Sequence, residues 1–109
     1  MDQSCASTDD LILFKFRSAI KEAYGDRIAR VVLYGSRARG SPRPDSDYDI
    51  AVFLIDLSDR WAEIERLTEI ELDLMDETGA NIHATPFPAG AWAERTPLMH
   101  EIRREGREL

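Results

Sequence analysis

The sequence predicts an α/β (α+β) fold, a small mixed β-sheet flanked by helices. Three observations lead there. Residues 28–34 and 49–55 are rich in β-branched and aromatic side chains and read as strands. Apolar residues recur at helical spacing before, between and after the strand-like runs. The first two strands are joined by a loop of about a dozen residues, whereas a helix separates the second from the third, so strand pairs of both senses are expected.

Taken in order, Thr8, Asp9 and Asp10 form a helix start, with a capping hydroxyl and acids in the first turn. Residues 1–8 are read as a flexible N-terminus. Leu13, Phe16, Ile20, Ala23 and Tyr24 follow at helical spacing, and Gly25 is placed to stop the helix. The strand at 28–34 comes next. Gly40, Ser41, Pro42 and Pro44 forbid regular structure beyond it. Residues 49–55 are apolar on both faces, as in a buried central strand. Ser58 and Asp59 start a second helix that runs to about Glu77, with Trp61, Ile64, Leu67, Ile70, Leu74 and Met75 as its apolar face and Gly79 as its end. Residues 81–87 alternate and predict a third strand, which Pro86 and Pro88 mark as an edge or a strand end. Residues 89–92 are ambiguous. Pro97 suits a helix first turn, and Leu98, Ile102, Arg103 and Arg104 fit a last short helix stopped by Gly106.

A chain of 109 residues is read as a single domain over 1–109, able to bury one modest core. No apolar run approaches the length of a membrane span, so no membrane partner is expected. The N-terminal MDQSCASTDD is acidic and lacks an apolar signal core, and the single Cys5 cannot form an internal disulfide; both fit a cytoplasmic setting. A net charge of −7 argues against direct nucleic-acid binding, which needs a cationic face. Yet Arg37, Arg39 and Arg43 crowd into one short window. Alone that is a solvated basic loop; beside the motif below it suits a small anionic ligand.

The motif is Gly35-Ser36, ten intervening residues, then Asp47-x-Asp49. Side chains two apart in a strand share a face, so both carboxylates project together. Such a pair repels unless solvent or a cation lies between; a hard divalent ion uses one or two carboxylates plus substrate phosphates. Gly35 permits a bend closed to other residues, and Ser36 offers a hydroxyl and an N–H to a phosphate oxygen. Either half alone has an ordinary explanation, a turn or an exposed strand end. Together they suit a polyphosphate bridged to metal. The sequence contains no G-x-x-x-x-G-K-[ST], C-x-x-C, H-E-x-x-H or G-x-G-x-x-G motif.

On Gly35, Ser36, Asp47 and Asp49 the chain resembles the nucleotidyltransferase superfamily that includes DNA polymerase beta. More narrowly it resembles the minimal nucleotidyltransferase (MNT) domains, some of which are antitoxins to HEPN-domain toxins. The resemblance implies the nucleotidyltransferase fold, the Gly-Ser turn on phosphates, and Asp47 and Asp49 as catalytic metal ligands. It implies Mg2+ as cofactor, with Mn2+ possible, and ATP as substrate. Two metals can stabilise the attacking and leaving oxygens of an in-line displacement at phosphorus. Arg37 and Arg39 are candidates to neutralise charge on the leaving group, Arg43 less directly, and Ser46 is read as shaping the strand start. The family normally places a third carboxylate on the next strand. Here His83 falls at that position, sharing a face with Asn81 and Thr85. His83 has three readings: a general base, a weak ligand to a softer metal, or a plain polar residue that leaves turnover reduced. His100 reads as a surface residue.

The function this implies is transfer of AMP from ATP to a tyrosine of a cognate HEPN toxin, by an antitoxin within a hetero-oligomer. The alternatives are an impaired nucleotidyltransferase fold that neutralises its partner by binding alone, and a small-molecule nucleotidyltransferase.

Overall fold

A computed structural model of the chain describes residues 8–38 and 47–109. The expectations placed on residues 1–7 and 39–46, including the flexible N-terminus, Arg39, Arg43, Ser46 and the prolines of the loop, lie outside the described residues.

The elements in order are α1 (Thr8–Tyr24), β1 (Ile28–Tyr34), β2 (Tyr48–Leu54), α2 (Arg60–Thr78), β3 (Ile82–Pro88), α3 (Pro97–Glu105) and β4 (Arg107–Glu108). Short 3₁₀ turns occupy Gly25–Arg27 and Ala89–Ala93. The strands form one sheet in the order β3-β2-β1-β4. β1 pairs antiparallel with β2 and β4, and β2 pairs parallel with β3. The mixed sheet expected from the connections is therefore present. No described helix is long and apolar enough to cross a membrane.

Alternation along the strands divides the sheet into two faces. Val31, Leu33, Tyr48, Ile50, Val52, Leu54, Ile82 and Ala84 face α1 and α2, in a core with Ile12, Phe16, Ile20, Leu67 and Leu74. Val32, Ala51 and Phe53 face the other way, in a smaller cluster with Ala91, Met99 and Ile102. β2 is buried on both sides, which is why its sequence shows no polar alternation after Asp49.

Local chemistry sets the boundaries. The Asp59 side chain caps α2 by accepting from the Ala62 N–H at 3.1 Å, and Gly79 closes that helix at φ +78°. The Thr96 hydroxyl caps α3 by accepting from Met99, with Pro97 at the first position. β3 is an edge strand. Its Ala84 N–H points outward and donates to Glu71 Oε2 of α2 at 2.8 Å. Pro86 lies two residues on, on the same outward side, where a missing N–H costs no ladder bond. Glu63, 7% exposed, pairs with Arg27 at 2.6 Å.

Several expectations are corrected. Trp61 is 76% exposed and Met75 42%, so they leave the core face of α2 to Leu67 and Leu74; the helix turns them toward solvent. Ala23 is likewise exposed on α1. In α3 the buried pair is Met99 and Ile102, with Leu98 on the outside. The second strand begins at Tyr48 and stops before the exposed Ile55. β4 was not foreseen: two residues have no readable period.

Candidate functional site

The site lies where β1 ends and β2 and β3 begin. Asp49 stands between Tyr34 of β1 and His83 of β3 in the strand register. By alternation it shares its face with Ala51 and Phe53, so Tyr34, Asp49, His83 and Thr85 all project on the α3 side of the sheet. Asp47 precedes β2 by one residue and is exposed, whereas Asp49 is half-buried.

Gly35 follows β1 directly, at φ +78°. Its α-carbon is packed against the Asp49 carboxylate. A Cβ there would sit 2.6 Å from Asp49 Oδ2. Glycine thus answers two demands at once: a left-handed backbone, and room for a carboxylate against the chain. The bend closes with the Ala38 N–H donating to the Gly35 carbonyl at 3.2 Å, and Ser36 lies inside it. Arg37 lays its guanidinium 4.1 Å from the centre of the Tyr48 ring. Tyr48 faces the larger core, so this stacking draws Arg37 toward the face opposite Asp49.

Asn81, just before β3, and His83, within it, each meet one of the two acids. Asn81 Nδ2 donates to Asp47 Oδ1 at 2.7 Å. His83 Nδ1 lies 3.9 Å from Asp49 Oδ1, too far for a hydrogen bond, and the imidazole is 69% exposed. Burial first, and the Asp49 charge second, hold the Tyr34 phenol above its ordinary range, against a hydrogen bond with Thr85.

The donor set fits a hard divalent cation. Two carboxylates at one strand mouth supply oxygen ligands, and the missing Cβ of Gly35 makes room for one of them, Asp49. Among the described residues no group of three His, Cys, Asp or Glu side chains gathers as a metal cage. A cation here would complete its shell from water and substrate phosphates.

Of the residues expected at the site, Gly35, Asp47, Asp49 and His83 come together, Ser36 lies in the adjoining bend, Arg37 stacks on Tyr48, and Arg39 is outside the described residues. Asn81 and Tyr34 were not foreseen. Asn81 was legible only as a face-mate of His83; its contact needs the parallel register of β2 and β3.

The chain resembles known proteins in fold and family. The family described as polymerase beta, nucleotidyltransferase, matches residues 18–109. Comparison with curated proteins finds no match. A toxin–antitoxin crystal structure with AMP-PNP aligns with TM-score 0.59 and 20% identity, over 85% of this chain and 68% of that one. A tyrosine-to-alanine mutant of the toxin–antitoxin pair MntA–HpeT aligns with TM-score 0.60 and 21% identity, over 95% and 72%. A structure described as a candidate minimal nucleotidyltransferase aligns with TM-score 0.60 and 21% identity, over 98% of this chain and 100% of that one. These likenesses establish the shared fold. With the matched segment holding the glycine bend and both acids, the chain belongs to the polymerase beta nucleotidyltransferase family.

Proposed function

We propose that this protein is a metal-dependent protein adenylyltransferase that acts as an antitoxin, moving AMP from ATP to a tyrosine of a HEPN toxin within a hetero-oligomer. The observation behind this reading is the close approach of the Asp49 carboxylate to the Gly35 bend, which sets the Gly-Ser turn beside an acid. The toxin–antitoxin neighbours, one with AMP-PNP, support the partner and the nucleotide.

Asp47 and Asp49 would hold the cation, Mg2+ or Mn2+, which would screen phosphate charge and withdraw electron density from the α-phosphorus. The Gly35-Ser36 bend receives phosphate oxygens through backbone N–H groups and the Ser36 hydroxyl. The acceptor phenol oxygen forms a bond to the α-phosphorus, the bond to the bridging oxygen breaks, and pyrophosphate leaves. His83, open to solvent beside Asp49, can take the phenol proton. Arg39 is the candidate to steady the leaving pyrophosphate; Arg37 could do so only by leaving the Tyr48 ring.

Incubating the protein with labelled ATP, Mg2+ and the partner toxin tests this. Wild type is expected to label the toxin and Asp47→Asn to lose at least a hundredfold in rate, by loss of a metal ligand. Equal protection by both proteins, with no label transferred, would overturn it. One observation favours a second reading, neutralisation by binding alone: a histidine stands beside Asp49 at the register position where the family resemblance implies an acid. A large gain in transfer by His83→Asp would mark the natural site as impaired.

A further inference from the structure

We infer that Asn81, the residue just before β3, is a positioning residue for Asp47. This rests on the nucleotidyltransferase reading and extends it. β2 and β3 run parallel with Tyr48 opposite Ile82 and Asp49 opposite His83, so the residue before each pair brings Asp47 and Asn81 together. The two acids are two residues apart, as are Asn81 and His83, and each acid faces one of them. The first contact is a hydrogen bond of 2.7 Å from the amide to Asp47 Oδ1; the second is an approach of 3.9 Å.

Asp47 needs such a partner. It is exposed and lies one residue outside β2, so packing does not fix its rotamer. Its backbone surroundings are held: the Tyr48 N–H donates to the Asn81 carbonyl at 2.9 Å. Asn81 therefore touches the site twice, by its main chain on Tyr48 and by its side chain on Asp47. The side-chain bond engages Oδ1 and sets the plane of the carboxylate that a cation would meet. Groups that orient metal ligands in this way usually alter metal affinity or activity by about 10–100-fold when removed. Charge matters as much as geometry. An amide donates to a carboxylate, whereas an acid in its place would repel it. Positions 81 and 83 should thus respond differently to an introduced acid, although they are only two residues apart.

The test is Mn2+ binding, read by electron paramagnetic resonance in the presence of ATP, for wild type, Asn81→Leu, Asn81→Asp and Asp47→Asn. Melting temperatures serve as the folding control, and rates at varied Mg-ATP separate KM from kcat. Asn81→Leu is expected to weaken Mn2+ binding about tenfold, with KM for Mg-ATP rising and the melting temperature little changed. Asn81→Asp is expected to weaken it further, or to a similar degree, and not to restore it. Wild-type affinity in Asn81→Leu, with Asp47→Asn impaired, would overturn the role of Asn81 and leave the nucleotidyltransferase reading standing. No Mn2+ binding in wild type would count against that reading itself. Tighter binding in Asn81→Asp would show that position 81 wants a ligand, which also overturns the inference.

Discussion

The Asp49 carboxylate takes the room that a side chain at position 35 would need. Gly35→Ala meets two penalties. An alanine at φ +78° is strained by about 1–2 kcal/mol, and its Cβ would lie 2.6 Å from Asp49 Oδ2. The carboxylate must swing away, because the backbone of β1 is held in the sheet on both sides. Misplacing a reacting group by about 1 Å can cost about a hundredfold. Gly35→Ala is therefore expected to lower AMP transfer by about two orders of magnitude, and the melting temperature by several degrees, measured by labelled transfer and calorimetry. Wild-type rate in a folded variant would show that the bend and the acid act independently. At this scale the sequence displayed the glycine and the acids but not their contact. Sequence spacing tells which side chains share a face, whereas the touch of Gly35 on Asp49 follows from antiparallel pairing across an intervening loop. Arg37 illustrates the converse. Its charge suggested phosphate, and nothing in its neighbours announced that the Tyr48 ring, thirteenth from the bend, would receive it.

The edges of the sheet are finished by side chains and by the C-terminal turn. On one side, β4 pairs with β1 and the Leu109 N–H reaches the Val31 carbonyl at 2.9 Å. On the other, Glu71 reaches from α2 to the outward N–H of Ala84. Burial raises the Glu71 carboxyl above its ordinary value of 4.5, opposed by the Ala84 hydrogen bond and, to a smaller degree, by His83. A raised folded-state value means the folded chain binds the proton more firmly than the unfolded chain does. This group's contribution to stability is thus fullest below 4.5 and falls as pH rises through its folded value. Glu71→Gln removes the titration and keeps an oxygen for Ala84. Urea midpoints across a pH series should show the variant gaining on wild type as pH climbs from 4.5. Parallel profiles would mean that Glu71 titrates alike folded and unfolded. The long elements were legible because their period repeats: α1, β1 and α2 match their expected limits within a residue or two. The faces of α2 and α3 were less so. Trp61 fits the apolar stripe by type, but it lies on the side of the helix away from the buried Leu67 and Leu74. β4 and the turn at Ala89–Ala93 are too short to carry a period at all.

Charge is unevenly spread over the molecule, and this bears on how nucleotide would bind. Residues 56–78 hold nine acids against two arginines, which equals the net −7 of the whole chain. Nearly all of that segment is α2, which packs on the sheet face opposite Asp49. Glu71 is the acid of α2 that couples to His83 beside the site, while exposed charges farther off than the Debye length of about 8 Å at physiological salt are largely screened. The local obstacle to a polyphosphate is the acid pair, Asp47 and Asp49. ATP alone brings negative charge to two carboxylates, and a divalent cation reverses that repulsion. Mg-ATP is therefore expected to stabilise the fold where ATP with a chelator does not. At about a hundred times its dissociation constant a ligand adds about 2.7 kcal/mol, and at about 4 °C per kcal/mol for a domain of this size the melting temperature should rise by about 10 °C. Asp47→Asn separates binding from folding. The asparagine oxygen can still accept from Asn81, and the residue is exposed, so the ligand-free melting temperature should stay within about 2 °C of wild type, as for most surface changes. Its Mg-ATP shift should shrink or vanish, because one charged ligand to the cation is gone. Differential scanning fluorimetry of both proteins, with ATP and either Mg2+ or chelator, decides the matter. Equal shifts with and without Mg2+ would place the nucleotide elsewhere and detach the acid pair from its recognition.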